Sequence, residues 1–86
     1  MEIKQCMNNK CVIVYHQDKS YLFSYGTLIM SRDHRKDKYW RHINNRELLS
    51  LTTIRHIHEF VGYDERFITK KSIRDQFMKL PYKEVA

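Results

Sequence analysis

The chain has 86 residues, a net charge of +6, 42% hydrophobic and 13% aromatic side chains, two glycines and one proline. That length suits one domain and excludes two, and the apolar content excludes a disordered tail. No apolar run approaches the length of a membrane span, and the first residues, MEIKQ, lack the apolar stretch of a secretory signal.

The expected location is therefore the cytoplasm, with no membrane association. In that reducing compartment the two cysteines read as thiols, although a bridge between Cys6 and Cys11 is geometrically allowed if they face each other on a hairpin.

The first half reads as strand. Cys11 to Tyr15 (CVIVY) is a β-branched and aromatic run. Asn8 and Asn9 before it carry turn chemistry, because Asn tolerates positive φ. A two-residue loop there sets Met7 opposite Lys10, Cys6 opposite Cys11 and Ile3 opposite Val14. Gln17, Asp18 and Lys19 form the next turn. A long strand is expected from Ser20 to Ser31, with Gly26 as a bulge or bend inside it. Arg32 to Asp37 is a solvated turn, and Lys38 to Ile43 a further strand.

The second half reads as helix. Thr52 or Thr53 caps a first helix that runs to about Val61, with Ile54, Ile57 and Val61 on one stripe beside Phe60 and Gly62 as the stop. Thr69 caps a second, with Ile73, Phe77 and Leu80 on one face and Pro81 at its end. The expectation is an α+β fold: a small antiparallel meander of three to four strands, followed by two short helices. One domain covers residues 1–86. Residues 1–50 are mainly β, 51–81 mainly α, and 82–86 a loose tail.

Enzymatic chemistry finds little support, and the expectation is a non-enzyme. There is no glycine-rich phosphate loop and no G-x-S-x-G elbow. The cysteine pair has no second pair to complete a zinc site, and His56 and His58 point apart on a helix, so neither metal nor other cofactor is expected. A metal-dependent HNH-like nuclease is a third-ranked alternative. Asp33-His34, Asn44-Asn45 and His56 follow the order of a base, an orienting amide and a helical metal ligand.

Nucleic-acid binding is the leading expectation. Lys70 and Lys71 open the second helix beside Thr69 and Ser72, with Arg74 one turn on, a pattern suited to phosphates. A second basic strip, Arg35, Lys36, Lys38 and Arg41 with Arg32, adjoins Tyr39 and Trp40. Basic residues interleaved with aromatics suit single strands, whose bases stack while their phosphates pair. Protein binding is the alternative. Tyr21, Phe23 and Tyr25 alternate on one strand face, continued by Thr27 and Ile29, with Leu22 on the other. The partner is thus nucleic acid or a nucleic-acid-processing protein, and a homodimer is left open.

Two stretches also carry a resemblance. Ser24 to Ile29 (SYGTLI), Tyr39-Trp40 and Ser50 to Gly62 (SLTTIRHIHEFVG) resemble small, functionally unassigned proteins encoded by bacteriophages and plasmids. Those pair an SY-x-T-x-I strand and a Tyr/Trp strand with an S-x-TT-x-(R/K)H-x-x-x-FL segment. This chain departs from them by inserting residues 41–49. The resemblance implies a mobile-element origin, and with it the cytoplasm of a bacterial host cell as the location. By analogy it extends to an inhibitor that docks on a host protein such as a defence nuclease, of anti-CRISPR or anti-restriction type. Within the segment, Thr52, Thr53 and His56 form a unit: a cap, and a histidine one turn in that can bond to the sheet.

Overall fold

A computed structural model describes residues 2–6, 10–62, 64, 67 and 70–84, with residues 4–6 and 70–72 described by their backbone. Five antiparallel strands pair in sequence order, β1 Glu2–Cys6, β2 Cys11–His16, β3 Lys19–Ser24, β4 Thr27–Asp33 and β5 Lys38–Arg41. A short 3-10 turn (Arg46–Leu48) leads to helices α1, Leu51–Val61, and α2, Lys70–Lys79. The meander followed by helices is the expected α+β arrangement, with one strand more than foreseen.

The extra strand comes from Gly26. The run from Ser20 to Ser31 is two strands joined by a Tyr25-Gly26 turn, and both turn residues have positive φ, 52° and 78°. That is the two-residue hairpin turn whose twist matches its flanking strands. A bulge does occur, but further on. Leu22 pairs with Met30 and Phe23 with Leu28, which leaves Ile29 as the additional residue. The bulge turns Ile29 inward beside Met30, and both are buried. Ile29 therefore does not continue the Tyr21 face.

The β1–β2 register sets Ile3 opposite Val14 and Cys6 opposite Cys11, as the hairpin reading requires. Asn8 and Asn9 lie outside the described residues. Cys11 is disulfide-bonded rather than a thiol. Directly opposed positions on an antiparallel pair bring Cα atoms within about 4.5–5.5 Å, inside the range a disulfide spans.

One sheet face packs under the helices. Cys11, Ile13, Leu22, Met30 and Tyr39 are buried there with Ile54, Ile57 and Val61 of α1, Ile73 and Phe77 of α2, and Phe67 between them. Each such side chain contributes roughly 1.5–3 kcal/mol on burial. Tyr39 sits edge-on to Phe67 and Phe60, and its hydroxyl donates to Asp64.

Helix α1 starts earlier than expected. Its cap is Ser50, whose hydroxyl accepts from Thr53 N–H at 3.1 Å, while Thr52 and Thr53 lie inside the helix. Gly62 ends it at φ 64°, as read. Thr69, the expected cap of α2, lies outside the described residues. Residues 81–83 run parallel to β5: Arg41 N–H donates to Pro81 O and Lys83 N–H to Arg41 O, both at 3.0 Å. The start of the segment read as a loose tail is thus tied to the sheet edge.

Candidate nucleic-acid interface

The strand pleat divides the sheet into two faces. Ser20, Leu22 and Ser24 of β3 point under the helices and are buried, whereas Tyr21 and Phe23 alternate with them and are half-buried. Their neighbours on that second face follow from the register. Val14 and Ser31 flank Tyr21, Val12 and Leu28 flank Phe23, and Trp40 pairs with Ser31. Ile3, opposite Val14, is 68% exposed. Among the described residues, no helix lies over this face. It presents an apolar centre with two aromatics at β3 and another at β5.

Trp40 is the chain's one tryptophan and it is bracketed by cations. Lys38 Nζ lies 4.3 Å and Lys83 Nζ 5.6 Å from its ring centroid. Lys38 is two residues from Trp40 on the same strand, so the pleat places both on one face. Lys83 arrives from the chain end, and His42 holds it there. Lys83 O accepts from His42 Nδ1–H at 2.8 Å, which leaves Nε2 to accept from the Ser31 hydroxyl at 2.7 Å. Burial depresses the His42 pKa. The Lys83 carbonyl works against that shift and the Lys83 charge with it, and the net lowering favours the neutral ring these bonds require.

The border of this face is basic. The register row His16, Lys19, Asp33, Lys38 runs along the strand ends. Beyond it an open cleft of about 430 Å³ is lined by Gln17, Asp18, Lys19, Asp33, Arg35 and Lys36. Asp33 Oδ1 accepts from the backbone N–H groups of Arg35 and Lys36 at 3.0 and 3.3 Å and so shapes that turn. Desolvation opposes its ionisation, but those two donors and the nearby Lys36 and Lys19 charges hold its carboxyl below the ordinary value. Arg35 is largely exposed, 3.7 Å from Asp18.

The seven basic residues singled out in the sequence therefore part company. Lys36 and Lys38 are exposed, and Lys38 joins the Trp40 cluster. Arg41 is committed to the fold: its guanidinium donates to Leu80 O, Ile43 O and Asn44 Oδ1 and lies over Tyr82. Arg74 donates to Leu49 O. Lys70 and Lys71 stand in the first turn of α2, on the side of the sheet away from Trp40, and their side chains lie outside the described residues. Of the three aromatics, Tyr21 and Phe23 share the open face. Tyr25 sits in the hairpin turn, its ring 5.9 Å from His56 and under Lys10 at 5.3 Å. Lys83 was missed, because only the pairing of residues 81–83 with β5 brings it to Trp40; His42, two residues past Trp40, was missed because its role lies in the bond to Lys83 O.

The chain matches the model of a family of unknown function, DUF8033, over residues 1–77. It belongs to that family. The match takes in all five strands, α1 and most of α2, including Lys38 and Trp40, whereas Lys83 lies beyond it. No curated protein and no solved structure matches the chain.

A second polar cluster lies under the other face and unites both resembling stretches. The Ser50 hydroxyl donates to Thr53 Oγ1 at 3.1 Å, Thr53 Oγ1 lies 3.2 Å from Ser24 Oγ, and Ser24 Oγ lies 2.7 Å from His56 Nδ1. The Ser24 hydroxyl thus bridges Thr53 Oγ1 and His56 Nδ1, while the other ring nitrogen, Nε2, faces away from the chain of hydroxyls. That atom is buried with no partner. Burial alone depresses the His56 pKa, consistent with a neutral ring. A serine beside a histidine invites a nucleophilic reading, but Ser24 is 2% and His56 0% exposed, so no substrate reaches the hydroxyl. The chain instead ties α1 to β3.

The residues of the nuclease ordering hold similar local posts. His34 Nε2 bonds to the Ser20 hydroxyl, Asn44 accepts from Arg41, and Asn45 accepts from Glu47 N–H at the 3-10 turn. Among the described residues, no three His, Cys, Asp or Glu side chains group to hold a metal. Nor is any helix among them long and apolar enough to cross a membrane.

Proposed function

We propose that this chain is a non-enzymatic binding protein of bacteriophage or plasmid type that contacts nucleic acid, or a complex carrying it, through the open face of its sheet. The observation that carries the reading is the Trp40 ring, flanked by Lys38 and Lys83 on a face no described helix covers. The net charge of +6 and the basic cleft at the strand ends supply attraction for phosphates. The sequence alone spread the candidate contacts over α2, the β4–β5 turn and β5; the sheet face now takes precedence. Arg41 and Arg74, already bonded to backbone carbonyls, serve the fold.

The test is binding of the purified chain to labelled single- and double-stranded DNA and RNA at low and moderate salt, with and without Mg²⁺. Binding that weakens steeply with salt, by roughly 0.7–0.9 log units per log unit of salt for each phosphate contacted, supports the reading. Absence of binding at low salt removes it.

One observation favours a second reading. Val12, Val14, Tyr21, Phe23 and Leu28 form a largely uncharged centre, which suits a protein partner such as a host defence nuclease. That association is salt-tolerant and is lost in Tyr21→Ala with Phe23→Ala.

A further inference from the structure

Resting on the nucleic-acid reading, we infer that the ligand is a single strand, one of whose bases stacks on Trp40 while Lys38 and Lys83 take the adjoining phosphates. A base in a duplex has both faces covered by its neighbours, so a flat aromatic platform has nothing to stack on. An open sheet face also lacks the projecting element that enters a groove. Single strands offer free π-faces and a flexible backbone, and aromatic side chains on basic surfaces meet both.

Trp40 is half-buried, so the sheet fixes its orientation while part of the ring stays accessible. The two ammonium groups against it are exposed at the ends of flexible stems. A base arriving at the ring takes the place of an ammonium, and the released cation is left beside the incoming backbone. Two lysines on one ring thus mark the place where a base and its phosphates exchange with them. His42 belongs to the same device as a positioning residue, because its bond to Lys83 O keeps the chain end beside the ring.

A second platform follows from the register. Tyr21 lies in the same row as Trp40, with Ser31 between them. Two strand spacings separate the rings by about 10 Å. Ser31 is small, and its hydroxyl holds the His42 ring at 2.7 Å. From Trp40 the path continues past Lys38 toward Lys19, Arg35 and Lys36 at the cleft.

Because Trp40 is the one tryptophan, its intrinsic fluorescence reports the site directly. The experiment titrates the full chain with an oligothymidylate of about 12 nucleotides, within the usual span of such sites, and with a blunt hairpin duplex of matched length. The expected result is saturable quenching by the single strand at low salt and little by the duplex. Trp40→Ala weakens single-strand binding about tenfold or more, while Trp40→Phe retains most of it. Lys38→Gln with Lys83→Gln reduces the salt slope by about 1–2. Denaturation midpoints close to the parent's show these variants folded. If Trp40→Ala does not fold, the parent quench and the lysine pair decide.

Salt-dependent binding with no quench and no effect of Trp40→Ala overturns the stacking site and leaves the broader nucleic-acid reading standing. Tighter binding to duplex than to single strand also overturns it. Failure to bind any nucleic acid at low salt removes both.

Discussion

Ser24→Ala tests the buried hydroxyl chain. The Ser24 hydroxyl lies between His56 Nδ1 at 2.7 Å and Thr53 Oγ1 at 3.2 Å, and Ser24, Thr53 and His56 are buried. Removing it takes one hydrogen-bond partner from Thr53 Oγ1 and the partner of His56 Nδ1. Since Nε2 already has no partner, the imidazole is then wholly unpaired. A buried polar group left unsatisfied costs about 1–3 kcal/mol, so the substitution costs roughly 2–4 kcal/mol. Against a total of about 5–15 kcal/mol for a small domain, that is a large share. At about 4–8 °C per kcal/mol for a chain of this size, Tm falls by roughly 8–32 °C.

The assay is denaturant unfolding of the parent, Ser24→Ala, His56→Leu and the double variant. In the His56→Leu background the serine serves only Thr53, so Ser24→Ala there costs about 1 kcal/mol and the coupling reaches about 1 kcal/mol or more. A cost below about 0.5 kcal/mol in the parent, or equal costs in both backgrounds, refutes the chain.

Further tests are independent of that cycle. His56 has a lowered pKa, so it is neutral in the fold, while the unfolded chain takes up a proton below the ordinary 6.5. Stability is therefore full above that value and declines as pH falls through it toward the lower folded value, by at most about 1.4 kcal/mol per pH unit. Unfolding midpoints between about pH 7.5 and 5 show the decline, and His56→Leu makes it shallower, leaving the share of His42, whose pKa is lowered in the same direction. Gly26→Ala destabilises by roughly 1 kcal/mol in denaturant: its φ is +78° but a Cβ there meets nothing within 4 Å, so the cost is backbone strain alone. Reduction of the Cys11 disulfide lowers stability by about 2 kcal/mol, because the bridge closes only a short loop, and midpoints with and without a thiol reductant measure it.

The elements that were legible in the sequence are those whose signal is local. The β-branched run at Cys11, the stripe of Ile54, Ile57 and Val61, and the Gly62 stop each state their conformation within a few residues, and the structure follows them. What was illegible depends on contacts from elsewhere. Tyr25 is an uncommon residue for positive φ, so nothing in SYGT announced a hairpin. Its ring lies against His56 and under Lys10, contacts that support the turn from outside it. The bulge at Ile29 is likewise decided by the core, which takes Ile29 and Met30 together. Ser50 was passed over as the cap because Thr52 and Thr53 carry the same chemistry. Thr53 has another use, in the hydroxyl chain to Ser24.

The same distinction explains the candidate site. Lys38 and Trp40 were visible as a basic–aromatic strip, since the pleat alone puts them together. Lys83 was not, because it lies beyond the proline that ends α2 and reaches the ring only through pairing with β5. This separates the two faces into two jobs. The covered face, with its helices and the Ser24–His56 chain, sets stability. The open face carries the exposed cations and the half-buried Trp40. Exposed contacts such as Lys38 and Lys83 are therefore substitutable with shifts in stability of about 0.5 kcal/mol or less. An open-face variant that abolishes binding while its unfolding midpoint stays put assigns the loss to contact. One that loses both together places that residue in the fold, as the carbonyl-bonded Arg41 already is.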